Sequence, residues 1–146
     1  MAERATEQIV IDATAARLLE VLLDFERYPD WAADIKDVEV LERDDEGRGS
    51  LVRYRAAAMG QSARYTLAYD YSDVPNAMSW KLVEGSIMRV LDGSYTFEAR
   101  DGGTLVTYHL EVDLIVPIPG FVKRRAEGKI MGTALRELKK FVESEA

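Results

Sequence analysis

The chain has 146 residues, 47% hydrophobic and 31% charged, with 19 Lys+Arg against 26 Asp+Glu for a net charge of −7. That balance fits one globular domain and argues against disorder, and the acidity disfavours nucleic acid and anionic membranes as general partners, although a local basic patch could still dock on one. The lack of Cys excludes disulfides, a thiolate nucleophile and thiolate-bound metal, and suits a cytoplasmic location.

Met1 to Val10 carries Glu3, Arg4 and Glu7 without an apolar run, so no signal peptide is read, and no stretch approaches the roughly 20 apolar residues of a membrane span. Ile9, Ile11 and Ala13 alternate with Val10 and Asp12 as a short first strand. Asp12 or Thr14 then caps a helix through Ala15, Leu18, Leu19 and Leu22, and Phe25 to Trp31, with Pro29 inside it, forms a second short helix or turn. From Ile35 the pattern is β. Strand signals run through Val38–Leu41, Leu51–Ala58, Ser62–Tyr71, Met78–Val83, Val90–Ala99 and Thr104–Val116. They are separated by turn clusters at Asp44–Gly47, Met59-Gly60, Ser72–Asn76, Glu84-Gly85 and Asp101–Gly103. About seven strands in meander order are expected. After Pro117 and Pro119, the segment Phe121–Glu145 repeats apolar residues every three to four positions (Ala126, Ile130, Ala134, Leu135, Leu138, Phe141, Val142), an amphipathic helix of about six or seven turns. No repeat or linker interrupts the chain, so residues 1–146 read as a single domain.

An antiparallel sheet of this length curls, and one long helix across its concave face need not fill the space beneath it. Alternation assigns Tyr54, Tyr65, Leu67, Tyr69, Tyr71, Trp80, Leu82, Gly93, Tyr95, Phe97, Val106, Tyr108, Leu110, Val112 and Leu114 to the side facing the helix. Arg64, Thr66, Asp70, Thr107, His109, Glu111 and Asp113 take the other side. The inward set is rich in Tyr, and a buried Tyr hydroxyl needs a partner, which a bound molecule or water supplies; the alternative is that the rings sit at the sheet rim with their hydroxyls in solvent. On the helix, Lys123, Glu127 and, to one side, Arg124 share the stripe of Ile130, Ala134 and Leu138, with Met131, Gly128 and Gly132 nearby. Either this half lines a pocket, with Glu127 and Arg124 at the polar end of a ligand, or it overhangs the sheet in solvent. The ligand-contacting set is thus expected to be Tyr54, Tyr65, Leu67, Tyr69, Trp80, Tyr95, Phe97, Tyr108, Leu110, Arg124, Glu127 and Met131.

Several segments, taken in order, carry a family likeness. They are Ile11-Asp12-Ala13, Tyr28-Pro29-Asp30-Trp31, Lys36-Asp37-Val38-Glu39-Val40-Leu41, Trp80-Lys81-Leu82-Val83-Glu84-Gly85, Asp92-Gly93-Ser94-Tyr95-Thr96-Phe97, Thr104-Leu105-Val106-Thr107-Tyr108 and Pro117-Ile118-Pro119-Gly120-Phe121. In this order the chain resembles the START-like, helix-grip (SRPBCC) superfamily over nearly its whole length. It looks most like bacterial polyketide cyclase/dehydrase-type members, which stand beside coenzyme-Q-binding and lipid-transfer proteins. The resemblance implies an α+β fold: a strand, two short helices, a curved antiparallel sheet of about seven strands and a long C-terminal helix over its concave face. It also implies a cavity between sheet and helix, and it transfers no catalytic residue, since one fold hosts many functions.

Little in the sequence points to defined catalysis. His109 is alone and outward, no loop has calcium-binding spacing, Gly47-Arg48-Gly49 lacks a phosphate signature, and no Gly-x-Ser-x-Gly elbow occurs. No metal and no cofactor are expected. Glu127, Tyr65 and Tyr69 are the candidates for acid–base work, which an aldol cyclisation or dehydration would need and which a binding protein would equally use to orient one polar group. Arg53 and Arg55 alternate with Val52, Tyr54 and Ala56 and belong on the solvent face, unless the phase is reversed; Arg89 could guard the rim. Three readings follow: a carrier of a lipid-, quinone- or polyketide-like amphipathic molecule; a polyketide cyclase/dehydratase; or an interaction domain with a filled core. The first is preferred, with a monomer or homodimer and no stable membrane insertion.

Overall fold

The structure is a computed structural model and describes residues 3–58, 61–115 and 119–144. The chain runs β1 (Glu3–Ile11), α1 (Ala15–Leu23), a 3-10 helix (Phe25–Asp30), β2 (Ile35–Arg43), β3 (Gly49–Ala58), β4 (Gln61–Asp70), β5 (Ala77–Gly85), β6 (Met88–Arg100), β7 (Gly103–Leu114) and α2 (Gly120–Ser144). The strands form one antiparallel sheet in the order β1-β7-β6-β5-β4-β3-β2. After β1 the chain crosses to the far edge through α1 and the 3-10 helix, then returns by successive hairpins until β7 lies beside β1. The expected helix-grip arrangement is therefore present. The Met59-Gly60 turn lies outside the described residues.

The first strand begins earlier than its apolar pattern suggests. Glu3, Arg4, Thr6 and Glu7 have no strong strand signal, but β1 pairs with β7 along its whole length, from Glu3 opposite Val112 to Ile11 opposite Thr104. Pairing to a long, well-buried neighbour overrides local propensity. Thr14, not Asp12, caps α1: its hydroxyl accepts from Arg17 N at 3.1 Å. The Asp12 N–H instead donates to Glu143 at 3.0 Å, fastening the end of α2 to the end of β1. Lys139 adds a bond to the Val10 carbonyl at 2.8 Å, and Glu137 accepts from Ala33 N at 3.0 Å. The C-terminal half of α2 buries Leu135, Leu138 and Val142 in the core.

Strand alternation holds with two exceptions. Val106, Tyr108, Leu110, Val112 and Leu114 are buried on the inner face as expected, but Thr66 and Asp113, assigned to the outer face, are buried too. Asp113 is covered because Lys123, at the start of α2, reaches back to it at 2.7 Å. Thr66 sits in register between Arg53 and Glu84, whose longer side chains stand on either side of it.

Gly93 on β6 makes room for Trp80. A Cβ there would come within 2.6 Å of the Trp80 ring and 2.5 Å of the His109 carbonyl. Since backbone cannot yield cheaply, Gly93→Ala should cost about 1–3 kcal/mol, read as a lowered urea midpoint together with a changed tryptophan emission spectrum.

Candidate functional site

All seven tyrosines lie in the core or pack against it, six of them on or just past the sheet strands and Tyr28 on the 3-10 helix. Together with both tryptophans, Phe25, Phe97 and Phe141 they form one connected set of ring contacts, with centroids 4.9–6.3 Å apart. Such tilted and offset contacts stabilise beyond the apolar area they bury. Of the expected lining residues, Tyr54, Leu67, Trp80, Tyr95, Phe97, Tyr108 and Leu110 are buried, while Tyr65 and Tyr69 are half-buried although they pack against the core. α2 packs on β1 and β7 and the 3-10 helix on β2, so β4, which carries Tyr65 and Tyr69, lies between these covers.

The hydroxyls divide into two groups. Tyr28 donates to the Leu22 carbonyl at 2.6 Å, Tyr71 to the Gly49 carbonyl at 2.5 Å, and Tyr54 and Tyr69 bond each other at 2.5 Å. Tyr65, Tyr95 and Tyr108 have no hydrogen-bond partner among the described residues. Burial pushes these phenols well above their ordinary value; at Tyr65 the charge of Asp34 adds to it, and at Tyr108 neighbouring tyrosines do. They therefore remain protonated near neutral pH and serve as hydrogen-bond donors, not as bases.

Glu127 is fully buried. Its Oε2 accepts from the Leu114 backbone N–H at 2.9 Å, while its Oε1 is buried without a partner. An interior carboxyl oxygen left unpaired is costly unless some donor reaches it. The Trp31 indole N–H is the other buried, unpartnered polar group among the described residues. The interior thus offers an acceptor at Glu127 and donors at Tyr65, Tyr95, Tyr108 and Trp31, within an otherwise apolar lining.

Arg124 departs from its expected place. It is exposed, and its guanidinium folds back along α2 to within 3.3 Å of where a Cβ on Gly120 would stand, so it does not share the buried position of Glu127. The helical projection placed it at the margin of the inward stripe, and a long cationic side chain at that margin turns to water. The Met131 and Ile130 side chains lie outside the described residues. Arg53 and Arg55 face outward, paired with Glu39 and with Asp37 (2.6 Å), and Arg89 is exposed, 3.9 Å from Asp113. His109 is exposed on the outer face and bonds the Thr6 hydroxyl at 2.9 Å.

Sequence reasoning missed Trp31 and Tyr28 as lining residues. Their signal was present: Phe25, Tyr28 and Trp31 recur every three residues, and a 3-10 helix stacks positions i and i+3 on one side. Two surface grooves, of about 600 and 770 Å³, have mixed linings: the first joins Ser72, Asp73 and Glu98 to Val74 and Phe97, and the second joins Asp37, Arg55 and Glu84 to Val38, Tyr54 and Tyr65, so two of the expected tyrosines border it. Among the described residues no group of three or more His, Asp or Glu side chains could hold a metal ion.

The Polyketide cyclase / dehydrase and lipid transport family matches residues 2–143. No protein of curated function matches the sequence. Among solved structures, a START superfamily protein from Mycobacterium smegmatis is similar at 24% identity and TM-score 0.87, over 98% of this chain and 99% of that one. A protein from Thermus thermophilus is 25% identical with TM-score 0.77, over 99% and 95% of the two chains. The Zhui aromatase/cyclase from Streptomyces sp. R1128 is 17% identical with TM-score 0.81, over 98% and 94%.

The Lys123–Asp113 bond, beside the Glu127–Leu114 bond, fastens the first half of α2 to the end of β7. The hydrogen bond from Lys123, with its positive charge and that of Arg89, holds the Asp113 carboxyl below its ordinary value. A carboxyl depressed in the folded state contributes stability that is present above its unfolded value of about 3.9 and is lost as pH falls through the folded one. Asp113→Asn should therefore flatten the acid side of the stability profile, seen as a smaller change in urea midpoint between about pH 7 and about pH 2 than the wild type shows.

Proposed function

The chain belongs to the Polyketide cyclase / dehydrase and lipid transport family, and from that premise we propose that it binds a mostly apolar, amphipathic molecule, lipid-, quinone- or polyketide-like, between the inner face of the sheet and α2. One observation carries this reading: interior polar atoms are left without protein partners inside an aromatic lining. Packing alone would favour Leu, Ile and Val at these positions; a buried, unpaired Glu127 oxygen and Trp31 N–H beside tyrosines whose hydroxyls bond no described protein group suit a surface that waits for a ligand. The half-burial of Tyr65 and Tyr69 supports the same reading. The ligand would present a donor to Glu127 Oε1 and acceptors, such as carbonyl or quinone oxygens, to Tyr65, Tyr95 and Tyr108, with its apolar body against Trp80, Phe97 and Leu110. Arg124 would act only at the rim.

A second reading, a cyclase or dehydratase, rests on the same groups. Tyrosines that stay protonated could polarise a carbonyl, and Glu127 would then be the interior group available to move a proton. Turnover of a poly-keto substrate, abolished by Glu127→Gln while binding persists, would select it over simple carriage.

Native mass spectrometry of the purified protein, followed by denaturing extraction, should release a bound organic molecule; a ligand-free protein that also fails to take up an anilinonaphthalene-type probe would overturn the binding reading. The hydroxyls separate binding from folding. Tyr95→Phe and Tyr108→Phe should each weaken probe or ligand affinity roughly fivefold while leaving the urea midpoint near that of the wild type, because each removes one ligand hydrogen bond of about 1 kcal/mol. Tyr71→Phe should do the reverse, losing about 1 kcal/mol of stability with little change in affinity, since its hydroxyl already serves Gly49.

A further inference from the structure

Phe121 is the one aromatic residue outside the interior ring set, and it is 62% exposed on the first turn of α2. Ile115, just past the end of β7, is 51% exposed, and Val83, on the strand leading into the β5–β6 turn, is 58% exposed. These lie at one end of the molecule. Ile115 N bonds the Ile87 carbonyl at 2.6 Å, joining the end of β7 to the β5–β6 turn, and the Lys123–Asp113 bond joins the first turn of α2 to the same end of β7. Single exposed apolar residues need no explanation, but an aromatic and two aliphatics gathered at one tip do.

The charges at this tip run against the rest of the protein and against its own helix. Lys123, Arg124 and Arg125 are consecutive in the first two turns of α2, where the helix dipole is positive and cations are unfavourable; the first turn holds no acidic residue to offset them. Lys123 is served by Asp113. Arg124 and Arg125 are exposed and have no ion-pair partner among the described residues, and Arg124 folds back toward Gly120 at the start of the helix. Arg89 adds a further exposed cation, with Glu84 the nearby exposed acid on β5. This basic cluster sits on a chain whose net charge is −7. Arg124 and Arg125, placed where the helix repels cations and near protruding apolar side chains, break a local rule without an ion pair among the described residues to offset it.

We infer that this tip is a docking surface for an anionic lipid bilayer, with Phe121 and Ile115 entering the headgroup boundary and Arg124, Arg125 and Arg89 meeting lipid phosphates. Anionic headgroups supply the counter-charge that the start of α2 lacks, and the apolar side chains supply the interfacial anchor. The acidic remainder of the surface is repelled by the same bilayer, so docking is oriented with the tip down. The inference stands apart from ligand binding: it concerns exposed residues and needs nothing in the interior.

Sedimentation with phosphatidylcholine vesicles, with and without phosphatidylglycerol, tests it on the full chain. Binding is expected only with phosphatidylglycerol and should weaken as salt rises. Phe121→Ala, and separately the pair Arg124→Glu and Arg125→Glu, should each reduce it, the charge reversal by roughly tenfold or more. The pair Arg43→Glu and Arg100→Glu, the same charge change elsewhere on the surface, should leave vesicle binding within about twofold of its original value. All these residues are exposed, so unchanged circular dichroism is expected throughout and interior probe binding should persist. The inference is overturned if phosphatidylglycerol makes no difference, if the tip variants bind as the wild type does, if the distant pair loses as much, or if the tip instead captures an acidic protein while ignoring vesicles.

Discussion

In a continuous antiparallel ladder every side chain must take one of two faces, and a slip of one residue would turn a whole strand's inward set to water. Here six pairings in series couple that choice across the sheet. Tyr54 on β3 stands directly opposite Tyr65 on β4, Tyr69 opposite Trp80 on β5, Trp80 opposite Gly93 on β6, and Tyr95 opposite Tyr108 on β7. The rings meet because the register brings them together, and Gly93 is required in that line because the bulk of Trp80 has to go somewhere. The same register puts Arg53 and Arg55 outward against Glu39 and Asp37, where surface ion pairs contribute little to stability but cover the outer face of an edge that would otherwise invite pairing.

The helical cover is held by polar bonds at both ends. Near its C-terminus, Lys139 and Glu143 reach the backbone at the end of β1; near its N-terminus, Glu127 and Lys123 reach the end of β7. Glu127 serves two purposes at once. One oxygen satisfies the Leu114 N–H at the edge of regular pairing, and the other is left facing the interior. A residue needed only for the first purpose would be cheaper as an amide or hydroxyl, since an interior carboxyl brings a desolvation cost. The leftover oxygen and the unpaired Trp31 indole N–H are two aspects of one feature: an interior more polar than its packing requires.

Much of this was legible beforehand because it depends on short-range periodicity. The inward places of Tyr54, Leu67, Trp80, Tyr95, Phe97, Tyr108 and Leu110 follow from a period of two, and the Asp101–Gly103 turn from its glycines, both at positive φ, with Gly103 passing so close to Ile11 that no Cβ would fit. What escaped notice involved contacts between distant segments. The polar start of β1 became a strand only through β7. Asp113, in the outward phase, was buried by Lys123 from α2. Phe25, Tyr28 and Trp31 joined the aromatic lining through a 3-10 helix too short to show a strong pattern. Arg124 took the solvent side of a helical margin that projection alone leaves undecided.

The sequence by itself determined the class of fold, the face on which each strand residue lies and the aromatic character of the interior, because these rest on backbone geometry that repeats every two or 3.6 residues. Tertiary structure alone decided which polar groups are satisfied. Whether a tyrosine hydroxyl finds a carbonyl, as Tyr71 finds Gly49, or none, as at Tyr95, depends on ångström-scale placement of segments far apart in the chain. So does the gathering of Phe121, Ile115 and the exposed Arg124, Arg125 and Arg89 at one tip, since β7, the β5–β6 turn and α2 are brought together there only by the folded chain.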